Sequence, residues 1–310
     1  MIKLVFFGTP NFAIPSLYAL HKSTNKILAV VTVPDKPAGR GLINTASPVK
    51  LTAQKLDYPI FQPHDLKDPN FLSIINKFDA DYFVVVAYRI IPEEMIAIPH
   101  KGCINIHASL LPKYRGPAPI HRAILNGENE TGVTTFLIQK TIDTGDILLQ
   151  EPFSLNNIIT TGEAYDKLAN IGSKLIVTTL ERLNKNQIIP EKQKHIIATS
   201  APKISSSDCM IHWSKSAETI HNQIRAFSPH PGAFTFFQNK RIKLYTSELK
   251  LNNPPSILQP GKIQYINHCL QIGTGSSVIH LREIQAEGKK RMPVKQFVSG
   301  CPQINGEHFG

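Results

Sequence analysis

The chain has 310 residues, 34 of them basic and 23 acidic, for a formal charge of +11 with its 12 histidines neutral. At about 150 residues per domain this length suggests two domains, each able to bury its own core. With 42% apolar and 18% charged residues, the composition is that of a folded globular protein and excludes a disordered, collagenous or coiled-coil chain.

In chain order, residues 3–7, 27–33, 82–87 and 103–107 are short runs rich in Val, Ile and Phe and read as buried strands. Residues 14–21 and 71–78 have helical apolar spacing. Strands alternating with helices predict an α/β domain with a Rossmann-like, doubly wound, mostly parallel sheet. Pro37, Gly39 and Gly41 argue against a regular element over residues 36–41. Residues 132–139 and 146–153 read as a later strand pair. Thr160 followed by Glu163 is a capping-box signature that opens a helix running to about residue 183.

Residues 187–207 are polar, carry Pro190 and Pro202, and show no periodicity, which predicts an interdomain linker over 190–206. Beyond it, residues 216–227 read as one amphipathic helix. Short strand-like pieces follow at 233–237, 242–245, 261–265, 270–272 and 278–284, separated by Gly, Pro and Asn, as in a small OB-like β-barrel. The expected division is therefore a domain at 1–189, a linker at 190–206 and a second domain at 207–310. Residues 191–310 hold 15 basic against 7 acidic side chains, a net of +8, the asymmetry that a polyanion-binding appendage produces.

Uncharged stretches such as 82–88 fall far short of the roughly 20 apolar residues of a membrane helix. The run at 2–7 lacks the longer apolar core and cleavage site of a signal peptide, so a cytoplasmic location is expected. Cysteines 103, 209, 269 and 301 have no CxxC spacing, and neither a disulfide framework nor a structural zinc is indicated.

Open parallel sheets bind ligands at the carboxyl ends of their strands, which directs attention to Val86, Ala87, Tyr88 and Arg89 and to the segment from residue 103 to 112. Alternation along a strand puts Asn105 and His107 on one face, and a buried strand has little reason to carry two such polar groups unless they are satisfied or used. Cys103 shares that face but lacks two further ligands for a metal. Gly8-Thr9-Pro10 occupies the place of a dinucleotide fingerprint without its GxGxxG pattern, and Ser109 has no GxSxG elbow. Asp143 lies in the turn-rich run Thr141-Ile142-Asp143-Thr144-Gly145-Asp146, which alone is no more than a turn.

Asn105-x-His107, the continuation Ser109-Leu110-Leu111-Pro112, and Asp143 together resemble the formyltransferases that use 10-formyltetrahydrofolate. Further segments are similar to the branch of that family whose acceptor is initiator methionyl-tRNA. They are Phe6-Phe7-Gly8-Thr9-Pro10, Pro34-Asp35-Lys36-Pro37-Ala38-Gly39-Arg40-Gly41, Lys113-Tyr114-Arg115-Gly116-Pro117 and Ile224-Arg225-Ala226-Phe227. The resemblance runs over nearly the whole chain. It departs at Arg89, where such enzymes commonly have glycine, and at the neutral residues 42–45, where they continue with lysines.

The resemblance implies 10-formyltetrahydrofolate as formyl donor, no metal, and a catalytic set of Asn105, His107 and Asp143. Formyl transfer to an amine makes the formyl oxygen negative, so the site needs a donor for that oxygen and a group to manage protons. Asn105 supplies the amide, His107 the proton-carrying imidazole, and Asp143 a carboxylate to stabilise imidazolium. Val86, Ala87, Tyr88, Arg89, Ser109, Leu110, Leu111 and Pro112 are the expected folate-binding residues. Lys36, Arg40, Lys240, Arg241, Lys289, Lys290 and Arg291 are the expected tRNA contacts. A monomer acting on tRNA is the leading expectation; the alternatives are a formyltransferase for a small amine, such as a sugar nucleotide or glycinamide ribonucleotide, and a noncatalytic RNA-binding protein.

Overall fold

The apolar runs of the first half become strands because their Val, Ile and Phe side chains suit a pleated surface covered on both faces. A computed structural model of the chain describes residues 1–38, 43–249, 258–266 and 268–310. The chain clusters into two units: Met1–Pro117, Thr131–Phe153 and Tyr165–Ala201 form the first, and Ala118–Glu130, Ser154–Ala164 and Pro202–Gly310 the second.

The first stretch of chain forms β1 (Lys3–Gly8), α1 (Ile14–Lys22), β2 (Lys26–Val31), β3 (Lys36–Ala38), β4 (Ile43–Thr45), α2 (Pro48–Lys55), β5 (Ile60–Phe61), α3 (Pro69–Asn76), β6 (Tyr82–Val86), α4 (Glu93–Ile96) and β7 (Cys103–His107). After α5 (Pro119–Leu125), which clusters with the second unit, come β8 (Glu130–Leu137), β9 (Ile147–Ser154) and the long helix α6 (Thr161–Asn184). The sheet order is β5-β2-β1-β6-β7-β8-β9. Strands β5 to β7 are parallel, and β8 runs antiparallel to β7. From β1 the chain winds outward through β2 to β5 and then crosses to β6, so the sheet reverses its winding between β1 and β6. Their last residues, Gly8 and Val86, are register partners. Ligands of doubly wound sheets bind at such a reversal.

Local chemistry sets the helix starts. The Ser47 side chain accepts from the Lys50 amide at 3.0 Å and Asp68 from that of Asn70 at 2.9 Å, each followed by a proline at the first helical position, where no amide hydrogen is needed. Thr160 and Glu163 form the expected capping box at the start of α6, with Glu163 accepting from the Thr160 amide at 2.8 Å. One face of the sheet buries Phe7, Val31, Phe83 and Val85 against Phe71 of α3 and Met95 of α4.

Two expectations are corrected in this unit. Residues 36–38 are not irregular: β3 pairs antiparallel with β4, Lys36 opposite Thr45 and Pro37 opposite Asn44. A two-stranded ribbon leaves half of its backbone groups unpaired in any case, so it tolerates a proline. Nor is 190–201 a free linker. Glu191 bridges Ile147, Arg115 exchanges backbone bonds with Thr199 and Ala201, and Gln193 is 6% exposed. The segment is a strap held by bonds to other segments, which is why it has no periodicity of its own.

The second unit contains α5, α7 (Ser206–Cys209), α8 (Ala217–Ala226), β10 (Ala233–Phe237), β11 (Lys240–Glu248), β12 (Ile263–Ile266), β13 (Cys269–Gly273), β14 (Val278–Ala286), β15 (Met292–Pro293) and α9 (Val294–Ser299). Its antiparallel sheet has the order β10-β11-β14-β13-β12, with β15 on β14. The chain end joins the two outer strands: Gly310 and Phe236 exchange backbone bonds, while His308 bridges Lys262 beside β12. The expected barrel is closed in this way by its own C-terminus.

Residues 118–130 and 154–164, which the sequence division counts with the first domain, cluster here for a physical reason. Arg122 of α5 grips Asp208 with two bonds of 3.0 and 3.1 Å. His221 of α8 bonds the Asn157 carbonyl at 2.6 Å, and Arg225 bonds that of Asn156 at 3.1 Å. These polar side chains of α8 are buried, and each is satisfied by chain that lies far away in sequence. No helix among the described residues is long and apolar enough to cross a membrane.

Candidate active site

The site lies at the carboxyl end of β7, one strand from the winding reversal. Asn105 pairs with Val85 on one side and Phe136 on the other, and His107 stands opposite Thr134. The Asn105 side chain is half-buried and has no hydrogen-bond partner among the described residues, which leaves its amide available to a ligand. Cys103, two residues before it, is buried, and desolvation pushes its thiol up to about 12, so it is a packing residue.

His107 is 6% exposed. Its Nε2 lies 2.9 Å from the Tyr114 carbonyl oxygen, which can only accept, so Nε2 donates there. Its Nδ1 faces Asp143 Oδ2 across 3.7 Å, with the two side chains 7% and 11% exposed. In the neutral ring Nδ1 then carries a lone pair, and it faces the Asp143 carboxylate. Asp143 is held by the Gly116 amide, which donates to Oδ2 at 2.8 Å. Two glycines make this approach possible. Gly116 has φ +122°, and a Cβ there would meet the Ala201 carbonyl at 2.7 Å; a Cβ on Gly145 would overlap the Leu137 carbonyl.

At the end of β6, Ala87 takes φ +47° and turns the exposed backbone away from the sheet. Tyr88 and Arg89 serve this rim rather than facing outward. The Tyr88 ring lies 5.7 Å from that of Phe7. Arg89 donates to the carbonyls of Pro63 and His64 at 2.8 and 2.9 Å and to the Tyr88 hydroxyl at 2.9 Å. Where the resemblance leads one to expect glycine, this arginine fastens the neighbouring 62–64 loop.

The segment 109–112 is shaped by residues that sequence reasoning missed. Thr134 donates to the Ser109 carbonyl at 2.7 Å and accepts from the Leu111 amide at 3.1 Å; Gln150 donates to the Leu111 carbonyl at 2.9 Å. The Ser109 hydroxyl turns back to the Lys113 carbonyl at 2.6 Å, and Leu111 and Pro112 are buried while Leu110 is half-exposed. Only the register of Thr134 opposite His107 could have pointed to these supports.

Among the basic residues singled out in the sequence, Lys36 is exposed on β3 and Arg40 lies outside the described residues. The start of β11 and the turn before β15 come together in the second unit, where Arg241 and Glu287 exchange bonds of 3.0 and 3.1 Å. Lys240, Lys289 and Lys290 are exposed there. Arg241 lies over the Phe234 ring at 4.4 Å, and Arg291 lies over Tyr245 at 4.5 Å while pairing with Glu283. Beside them is an open cleft of about 560 Å³ lined by Phe236, Arg241, Lys243 and Gln285.

A doubly wound sheet with a free amide and an imidazole at one strand end, and a carboxylate from a loop beside them, carries the groups that a group transfer through an oxyanion calls for. The chain belongs to the formyl transferase family: the formyl transferase model matches residues 2–180, and that of the formyl transferase C-terminal domain matches residues 203–302. It is 42% identical over 311 residues to the methionyl-tRNA formyltransferase of Pelotomaculum thermopropionicum, covering 100% of this chain and 99% of the relative. It is 42% identical over 313 residues to that of Moorella thermoacetica, with the same coverage. Among solved structures, the Helicobacter canadensis N-formyltransferase in complex with folinic acid and dTDP-3-aminofucose has TM-score 0.67 and 25% identity, covering 91% of this chain and 99% of the other. A methionyl-tRNA formyltransferase from Clostridium thermocellum shares the fold with TM-score 0.55 at 18% identity, covering 81% and 95% of the two chains. The family takes its formyl group from 10-formyltetrahydrofolate. Among the described residues no group of three His, Cys, Asp or Glu could hold a metal.

Proposed function

We infer that this enzyme transfers the formyl group of 10-formyltetrahydrofolate to the α-amino group of initiator methionyl-tRNA, giving N-formylmethionyl-tRNA. The observation that carries the acceptor is the 42% identity over both units to relatives that bear this name. Binding of the donor is assigned to the end of β6, where Val86 is buried and Ala87 exposed, and to the 109–112 segment, with Tyr88 and Arg89 as supports of the rim. The free amide of Asn105 and the turn at Ala87 suit a ligand that brings a carbonyl oxygen to this strand end.

In the reaction the amine nitrogen adds to the formyl carbon, giving a tetrahedral intermediate with a negative oxygen, which collapses as that carbon's bond to the folate nitrogen breaks. Asn105 donates to the formyl oxygen as it becomes negative, a preorganised interaction typically worth about 100- to 1,000-fold in rate. His107 takes the proton lost by the amine at Nδ1, Asp143 stabilises the imidazolium, and the proton then passes to the departing nitrogen. The substrate amine is the nucleophile, so orientation supplies much of the rest.

The basic face of the second unit, with Lys240, Arg241, Lys289 and Lys290, holds tRNA phosphates, and Lys36 and Arg40 serve the acceptor end. On this reading the chain works as a cytoplasmic monomer. A sugar-nucleotide acceptor is the second reading, favoured by the likeness to the Helicobacter canadensis enzyme. A transfer assay with 10-formyltetrahydrofolate and methionyl-tRNA, run against a dTDP-amino sugar as competitor, separates them. Formyl on the tRNA, unaffected by the sugar, supports the first reading; formyl on the sugar alone overturns it.

A further inference from the structure

We propose that Gln193 is a positioning residue for the His107–Asp143 pair, and this rests on the formyl-transfer reading of that site. Two chain segments hold the His107 ring from opposite sides. Tyr114, within 112–116, supplies the acceptor for Nε2 at 2.9 Å, and Asp143, within 141–146, faces Nδ1 at 3.7 Å. Nothing in the sheet itself fixes one segment against the other, since neither residue belongs to a strand.

Gln193 joins them from the strap. Its Oε1 accepts from Arg115 Nε at 3.0 Å and from Nη2 at 2.6 Å, in the first segment. Its Nε2 donates to the carbonyls of Asp143 at 3.0 Å and Gly145 at 2.8 Å, in the second. All four bonds come from one buried carboxamide, 6% exposed. Only an amide can serve here: the guanidinium needs an acceptor and the two carbonyls need donors, so a carboxylate, a hydrocarbon or a cation each fails on at least one side. The grip falls on the backbone of Asp143 itself, which is held at φ +55°, a left-handed conformation that needs support. The same carboxamide therefore sets where the carboxylate stands and where the Gly116 amide and Tyr114 carbonyl meet their partners.

A merely structural glutamine would cost stability without singling out the chemical step, and the test is built on that difference. Gln193→Met keeps the length and loses all four bonds; Gln193→Glu keeps those to Arg115 and sets a carboxylate against two carbonyls. Both are assayed as full-length enzyme in steady-state and single-turnover formylation of methionyl-tRNA, alone and on an Asp143→Ala background. We expect kcat to fall about 100-fold in each, with KM for donor and tRNA moving by no more than about threefold, because the misplacement acts on the reacting centre. On the Asp143→Ala background the same substitutions should cost clearly less, the carboxylate that Gln193 places being already gone and only its hold on the 112–116 segment remaining. A kcat within about threefold of wild type, a change confined to KM, or an equal loss on both backgrounds overturns the proposal. Wild-type enzyme run in parallel separates the two claims: a wild type that transfers no formyl to methionyl-tRNA refutes the functional reading, and with it this one.

Discussion

Nδ1 of His107 and Oδ2 of Asp143 stand 3.7 Å apart, while the opposite ring nitrogen is fixed on the Tyr114 carbonyl. In the proposed mechanism the imidazole is the base at Nδ1 and the carboxylate its counter-charge, two parts of one unit. His107→Ala and Asp143→Ala should each lower single-turnover formylation strongly, and the double variant should be little worse than His107→Ala alone. Multiplying losses would show that the two side chains act separately.

Arg89 should matter for the rim more than for the chemistry. Its three bonds fasten the Pro63 and His64 carbonyls and the Tyr88 hydroxyl. Replacing it with alanine should lower unfolding free energy by about 1–3 kcal/mol, read as a shifted urea midpoint at constant slope. The KM for the formyl donor should rise while kcat stays near wild type. An unchanged midpoint would mean that the loop at 62–64 holds itself.

The second unit should show an acid-sensitive clasp. The Arg122 guanidinium beside Asp208, joined by the Ser205 cap, holds that carboxyl down at about 2. A carboxylate depressed in the folded state contributes stability in full above its unfolded value near 3.9 and loses it as pH falls from there through about 2. Asp208→Asn should therefore reduce stability at neutral pH and flatten its decline between those values. A variant with the same acid limb as wild type would remove Asp208 from the account.

The basic residues near β15 should divide into two kinds. Lys289 and Lys290 are exposed, whereas Arg291 is engaged by Glu283 and Tyr245. Neutralising both lysines should weaken tRNA binding and reduce the salt slope of log affinity by about 0.7–0.9 for each phosphate the enzyme no longer neutralises. Arg291→Ala should act mainly on stability. Equal salt slopes for the lysine variant and wild type would take this turn out of the tRNA face.

Much of this was legible because period-2 alternation is a local property. It put Asn105 and His107 on one face of a buried strand, and the Thr160–Glu163 pair marked the start of α6 three residues apart. What escaped depends on partners distant in sequence. Gln193 sits in a polar run without periodicity, and its role exists only once Arg115 and Asp143 are beside it. The β3–β4 pairing was hidden by Pro37 and flanking glycines, which signal turns in isolation. Residues 118–130 and 154–164 look like parts of the first domain because they lie between its strands, yet Asp208, His221 and Arg225 bind them into the second unit. Arg89 stands out in the sequence only as a departure from glycine; its three acceptors lie up to 26 residues away.

The central claim is that Asn105 stabilises the formyl oxygen during transfer to methionyl-tRNA, and single-turnover formylation by wild type and Asn105→Ala tests it most directly. Wild type should place formyl on the α-amino group of methionyl-tRNA, and Asn105→Ala should do so about 100- to 1,000-fold more slowly with tRNA affinity unchanged. A rate for Asn105→Ala within a few-fold of wild type would contradict the account.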